Sequence, residues 1–240
     1  MFNPVELARE TEKTVCKKSE RKFYRFRPAK FYGGVATADC VGCCLRCAFC
    51  WAWKTLEKPE SIGKFCKPKQ VAEELIKIAK KNNFNQVRLS GNEPTLGWQH
   101  LKKVLENLKD SGLNVILETN GIILGCDPSY AKELADFKDF IHVRVSLKAA
   151  NPKEFSLLTG AEPRFFEYPI EALKNLCSAG IPCHPSVMVS FSREESLQNL
   201  RNRLETVNPS FFDFEEEELK MYKDVKERLE KIGIVFKKNQ

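Results

Sequence analysis

The sequence predicts an α/β protein built as a partial (β/α)6 TIM-like barrel, a parallel sheet with outer helices. Three observations carry that prediction. Strand-length apolar runs alternate with amphipathic helical segments from about residue 33 onward, giving six strand–helix units. Several of the helical segments close on a glycine suited to the left-handed stop, and 240 residues suffice for one sizeable core but not two. Parallel neighbours need a helix to return the chain. Six units are fewer than the eight of a closed barrel, so an open curved sheet fits the length, with a flat doubly wound sheet as the alternative.

The strands fall at 33–39, 86–90, 114–119, 141–147, 182–190 and 211–215. The first helix follows Pro68 with Val71, Leu75, Ile78 and Ala79 on one face, and the next runs through Leu101, Val104, Leu105 and Leu108 to Gly112. A shorter helix spans Asp127-Pro128 to Phe137. Later helices carry Ile170, Leu173, Leu176 and Cys177 before Gly180, then Leu197, Leu200 and Leu204, and finally Leu219, Tyr222, Val225 and Leu229 before Gly233. Apolar residues three or four apart give each segment a face for the sheet. One domain over 1–240 is expected, with its core at 33–190 and a basic extension at 1–30.

A formal net charge of +7 is spread along segments that also carry glutamate, which reads as solvated helix surface rather than a nucleic-acid site. The excess is densest near the N-terminus, where Lys17, Lys18, Arg21, Lys22, Arg25, Arg27 and Lys30 interleave with Phe23, Tyr24 and Phe26. Charge with aromatics suits an RNA surface. It suits equally an extension strapped across the barrel, which is the preferred reading. No apolar run exceeds strand length and the N-terminus is charged, so a cytoplasmic protein with no membrane partner is expected.

Five of the ten cysteines lie between Cys40 and Cys50, and a cytosolic cluster of thiols points to metal rather than disulfides. Cys43, Cys47 and Cys50 form Cys-x3-Cys-x2-Cys in one loop after the first strand, close enough for three thiolates to surround one cluster, with no obvious fourth ligand. An open position is a catalytic arrangement. A zinc knot or a ferredoxin-like site using Cys40 or Cys44 is the alternative, although the Cys40-x2-Cys43 and Cys47-x2-Cys50 pairs stand too close together for a zinc ribbon. Cys16, Cys66, Cys126, Cys177 and Cys183 lack ligand spacing. His100 and His142 have no partner that the sequence names.

The cysteine loop, with Phe49 before the last cysteine, resembles the signature of the radical S-adenosylmethionine superfamily. The resemblance implies a [4Fe–4S] cluster held by Cys43, Cys47 and Cys50, whose fourth iron is chelated by the amino and carboxylate groups of S-adenosylmethionine. Phe49 would lie against the adenine, and Cys44 would be free. Ser90-Gly91-Asn92-Glu93-Pro94 resembles the family's Gly-Gly-Glu-Pro segment, which binds the amino group, with Asn92 in place of the second glycine. Glu118-Thr119-Asn120-Gly121 resembles the acidic-Thr-Asn-Gly stretch of pyruvate formate-lyase activating enzymes. Ser146-Leu147-Lys148 resembles their Asp-Leu-Lys, so Lys148 would bind the S-adenosylmethionine carboxylate and Ser146 would offer a hydroxyl. In the fifth strand His184, Ser186, Met188 and Ser190 share a face by period two, and Ser190 is the one placed to meet the ribose. All four motifs fall at strand carboxyl ends, so the predicted fold gathers them at one mouth.

The chemistry implied is reductive cleavage of S-adenosylmethionine to a 5′-deoxyadenosyl radical, fed by a flavodoxin- or ferredoxin-like electron donor. A small molecule, a glycyl site on a protein and RNA stay open as substrates. Trp51-Ala52-Trp53 stands where activating enzymes carry His-Asn-Pro, which weighs against an activase. The acidic run Asp213 to Glu218 reads as the first turn of the last helix, favoured by the helix dipole, with Glu215 as a candidate substrate contact. A non-catalytic iron–sulfur or zinc module is the competing class.

Overall fold

The computed structural model describes residues 1–234. Helix α1 (Pro4–Val15) leads into β1 (Cys16–Lys17), the long β2 (Glu20–Ala29) and β3 (Val35–Cys40). Beyond the cysteine loop follow α2 (Trp53–Glu57), β4 (Lys64–Cys66), α3 (Pro68–Asn82), β5 (Gln86–Gly91), α4 (Trp98–Leu108) and β6 (Asn114–Thr119). The second half runs α5 (Ile122–Cys126), α6 (Ser129–Leu134), β7 (Ile141–Leu147), α7 (Pro152–Thr159), α8 (Glu167–Ser178), β8 (Cys183–Met188), α9 (Glu194–Glu205), β9 (Glu215–Glu217) and α10 (Lys223–Lys231). Among the described residues no helix is long and apolar enough to cross a membrane.

The sheet order is β1-β2-β3-β5-β6-β7-β8-β9, with β4 on the side of β2. From β3 onward every pairing is parallel. The parallel strands lie in chain order without a reversal, which is the winding of a barrel and not of a doubly wound sheet, where the order reverses at a switch point. Among the described residues β1 and β9 do not pair with each other, so the sheet is open.

Period-two alternation divides the sheet into two unlike faces. One face carries Val87, Leu89, Val115, Leu117, Val143, Val145 and Val187, all buried in a single core beneath the helices. Its partners there are the apolar stripes of α3, α4 and α8, for example Leu75, Leu105 and Leu173. The other face carries Asp39, Arg88, Ser90, Glu118, Arg144, Ser146 and Ser186, and it holds the charged network described below.

The N-terminal segment is part of the sheet, not a loose basic arm. β2 pairs antiparallel with β3, β1 and β4, and its basic residues turn inward. Arg21 is 1% exposed, and its Nη2 donates to the Glu93 carbonyl at 2.7 Å. Lys22 Nζ donates to the Pro59 and Glu60 carbonyls, while Arg25 and Arg27 both reach Asp39. The acidic run is likewise not a helix start: Glu215–Glu217 form a strand against Ser186–Met188, six residues ahead of α10. The stretch predicted as a strand from 211 is instead a 3-10 turn, Pro209–Phe211, capped by Asn208. Phe211 and Phe214 still face the core, and that apolar signal drew the predicted strand too early.

Removing the Arg21 side chain strands a buried carbonyl and opens a void, so Arg21→Ala should lower unfolding free energy by roughly 2–4 kcal/mol in urea titrations. The exposed Arg9→Ala should stay within about 0.5 kcal/mol of the parent. Equal stabilities would refute the structural role of Arg21.

Candidate active site

The loop after β3 turns at Gly42, whose φ of 91° no side chain adopts readily, and a Cβ there would meet Thr11 and Val15 of α1. It is pinned on the far side by Arg46 N to Thr159 O at 3.1 Å and Ala48 N to Leu158 O at 2.8 Å. Cys44 and Cys47 are buried, Cys43 and Cys50 partly so. The Leu45 amide donates to Cys43 Sγ at 3.4 Å, and Asn120 Nδ2 donates to the sulfurs of Cys43 and Cys44 at 3.4 and 3.3 Å. The Cys44 thiol, donating to its neighbour, holds Cys43 below the usual thiol range despite burial. Burial pushes Cys47 up and Cys50 up to about 11, while Lys148 pulls both the other way.

Among the described residues no three His, Cys, Asp or Glu side chains converge as around one ion. A [4Fe–4S] cluster makes a different demand, because its cysteines bind separate irons at separate corners. The donor set fits that demand: Cys43, Cys47 and Cys50 lie within one another's electrostatic reach and share Lys148 as the adjoining cation. Cys40 turns to the opposite side, against Arg21, and the Cys44 thiol lies between Asn120 and Cys43.

The strand-end residues fall into two groups. Glu93 is fully buried, and its carboxylate accepts from Thr95 N, Thr95 Oγ1, Thr119 Oγ1 and Asn120 N at 2.7 to 3.1 Å. Three of these four donors fall on one carboxylate oxygen, and through them Glu93 and Thr119 hold the ends of β5 and β6 together. Asn92 needs no positive φ. Its Oδ1 instead accepts from Gly42 N at 2.8 Å and Thr55 Oγ1 at 2.6 Å, bracing the cysteine loop. Gly91 is required by a close approach, since a Cβ would lie 2.6 Å from the Cys40 amide nitrogen.

The second group lines the charged face. Glu118 accepts from Ser90, Arg88 and the Tyr32 hydroxyl. Ser146 accepts from Arg144 at 3.0 Å. Lys148 pairs with Glu217 at 3.6 Å; burial works to lower its pKa, but Glu217 and the Cys47 sulfur raise it on balance. Ser190 lies just beyond β8, where its Oγ accepts from Leu219 N at 2.8 Å and sets the exit of β9. The Phe49 ring packs on Phe191 with centroids 5.3 Å apart. Thus the structure gathers the thiols, Asn120 and Lys148 at one end, with Phe49 beside them, while Glu118 and Ser146 face the interior below.

Sequence reading missed Arg144 and Glu217. Arg144 reaches Ser146, Ser186, Glu215 and Glu217 at 2.6 to 3.0 Å. The spacing of Arg144, Ser146 and Lys148 at every second residue of one strand was the available signal. The histidines do have partners: His142 Nε2 meets His184 Nδ1 at 2.6 Å, His184 Nε2 meets Glu215 at 3.0 Å, and His100 Nε2 meets the Cys66 carbonyl. Cys177 and Cys183, though lacking ligand spacing, lie 3.9 Å apart.

A sheet wound in one direction, with three thiols, an amide and a lysine collected at its strand carboxyl ends, is the layout of a barrel-type enzyme. The sequence profile of the Radical SAM superfamily matches residues 39–204, more than half the chain, and the protein belongs to that superfamily. It is therefore an enzyme of a family that uses a [4Fe–4S] cluster and S-adenosylmethionine. It is 34% identical over 106 residues to a probable GTP 3′,8-cyclase of Saccharolobus islandicus (strain Y.N.15.51 / Yellowstone #2), covering 44% of this chain and 32% of that one. A 7-carboxy-7-deazaguanine synthase of Methanopyrus kandleri is 29% identical over 126 residues, 46% of this chain and 48% of its own. The chain thus spans about a third of the cyclase and half of the synthase. Streptococcus suis SuiB, solved bound to S-adenosylmethionine, superposes with a TM-score of 0.60 at 21% identity over 75% of this chain and 39% of that chain. A spore photoproduct lyase variant with bound AdoMet and dinucleoside spore photoproduct gives 0.57 at 16% identity over 87% and 63%. None of these is an activating enzyme, so the activase-like branch drawn from the strand-end motifs gains no support from them.

Two outcomes follow. Glu93→Ala leaves buried donors unpaired and should cost roughly 3–5 kcal/mol in urea unfolding; an unchanged midpoint would mean the carboxylate is not the brace described. Second, Arg144 hydrogen-bonds Glu215 and holds its carboxyl down at about 2, against an ordinary 4.5. A depressed carboxylate stabilises fully above its unfolded pKa, so this contribution is present above about pH 4.5 and is lost as pH falls toward 2. Glu215→Gln should flatten that part of an acid-unfolding profile, and an identical profile would refute the pairing.

Proposed function

We propose that this chain holds a [4Fe–4S] cluster on Cys43, Cys47 and Cys50, cleaves S-adenosylmethionine reductively, and directs the resulting 5′-deoxyadenosyl radical at a hydrogen of a polar small molecule lying against the charged face of the sheet. The observation that carries this is that Cys43, Cys47 and Cys50 lie within one another's reach with Lys148 beside them, while Cys40 turns away against Arg21 and Cys44 is held by Asn120. Bound cluster and S-adenosylmethionine supply the one-electron chemistry and the radical.

The chain's own residues bind and position. Lys148 is the cation available to the S-adenosylmethionine carboxylate, and Glu217 shares it. Asn120 and the Leu45 amide donate to the Cys43 sulfur, which favours its thiolate. Phe49 and Phe191 form an apolar wall for an adenine. Arg88, Glu118, Arg144 and Glu215 give the interior a charged lining suited to a polar substrate rather than an apolar one. The relatives' names, a GTP cyclase and a deazaguanine synthase, support a nucleotide-like heterocycle within that class. A flavodoxin- or ferredoxin-like protein would deliver the electron.

Anaerobically reconstituted protein should bind about four irons, keep them in Cys44→Ala and lose them in Cys47→Ala. With dithionite and S-adenosylmethionine it should form 5′-deoxyadenosine slowly, and Cys47→Ala should form none. A loaded, reduced protein that binds S-adenosylmethionine yet yields no 5′-deoxyadenosine over hours would sink the proposal in favour of an electron-transfer module.

A further inference from the structure

The helix that follows the sheet, α10, reaches back across the molecule to the cysteine loop. Its buried residues Val225 and Leu229 pack with Ala48, and with Phe49, Phe191 and Leu219 around them. From the same helix Arg228 sends a fork into the loop backbone: Nε donates to the Ala48 carbonyl at 3.0 Å and Nη2 to the Cys50 carbonyl at 2.6 Å. The guanidinium stacks on Trp53 at 4.7 Å and is steadied by Asp224 at 2.9 Å. Its side chain is only 12% exposed. An arginine so placed is fully committed. Two of its nitrogens satisfy carbonyls on either side of Phe49, one of them belonging to a cysteine of the site.

We propose that Arg228 is a positioning residue that clamps the cysteine loop and raises the reduction potential of the cluster held there; this rests on the reading that the loop carries a [4Fe–4S] cluster. The clamp follows from geometry. The loop is pinned by α7 at Arg46 and Ala48, while at Cys50 the local contacts, Cys50 N to Cys47 O and the Ala52 amide to the Cys50 sulfur, are joined by Arg228 from a distant helix. The electrical effect follows from sign. Reduction adds a negative charge to the cluster, and a fixed cation near a ligand's backbone favours the more negative state. Asp224 offsets this only in part, because it is 48% exposed and screened by water while the guanidinium is not. Lys148, beside the same thiols, acts in the same direction.

The test separates clamp from charge. In metal-free protein, hydrogen exchange of the peptide covering 43–51 should speed up about ten-fold in Arg228→Gln, with α3 unaffected. In reconstituted protein, the midpoint potential from an electron-paramagnetic-resonance titration should fall in Arg228→Gln, stay near the parent in Arg228→Lys, and rise in Asp224→Asn, which keeps the fork and removes its counter-charge. Unchanged exchange in Arg228→Gln overturns the clamp. If that variant loads too little cluster to titrate, Asp224→Asn decides the charge, and an unmoved midpoint there overturns it. The exchange experiment needs neither cluster nor S-adenosylmethionine, so a parent protein that makes no 5′-deoxyadenosine would count against the proposed function and leave the clamp standing.

Discussion

Glu93 has no exposed surface, yet four donors from two strand ends converge on its carboxylate, and Arg21 holds its carbonyl from the other side. A buried carboxylate is costly unless every lone pair is used, and here the cost is met by fixing backbone. Asn120 is placed by its amide on Glu93, and from that position its side chain reaches the sulfurs of Cys43 and Cys44. Asn92, next in sequence to Glu93, catches the Gly42 amide at the base of the same loop. Glu93 and its neighbour Asn92 thereby tie together β5, β6, β2 and the cysteine loop. Neutral side chains of similar size could fill the space, but they would not orient four donors at once.

The sheet's second face explains why so much charge survives inside a protein of this size. In a sheet covered by helices on one side only, the other side must either pack a second core or stay polar. Here it stays polar. Arg144 bridges β7, β8 and β9 through Ser186, Glu215 and Glu217, and Arg88 bridges β5 to Glu118 on β6. Such pairs add little net stability once desolvation is counted, so their use is better sought in what they prepare: an interior of fixed donors and acceptors into which a polar molecule can enter without losing all its hydrogen bonds.

What the sequence disclosed tracks how regular each signal was. The first five parallel strands and the helices α3, α4, α8 and α9 were legible because period two and period 3.6 each left a clean apolar face. The cysteine loop was legible because its spacing is short and chemical. β2 was not, because Arg21, Lys22, Arg25 and Arg27 look like surface until Glu93, Pro59, Glu60 and Asp39 are known to lie opposite them. β9 was hidden for a related reason: four consecutive glutamates resemble a helix start, and the Arg144 and Lys148 cations that meet Glu215 and Glu217 from across β8 are not visible in the local sequence.

Arg228 lies 178 residues beyond Cys50, and no local pattern connects them. Its contact makes sense only through the charge balance of the loop. Three thiolates crowded into a partly buried turn repel one another, and burial alone would keep at least Cys47 and Cys50 protonated. The fold adds Lys148 from just past β7, Arg228 from α10 and the Asn120 amide to the loop's own Leu45 amide and Arg46. The cysteines define the site in sequence. The distant strand end and the final helix supply cations that work against burial at Cys50.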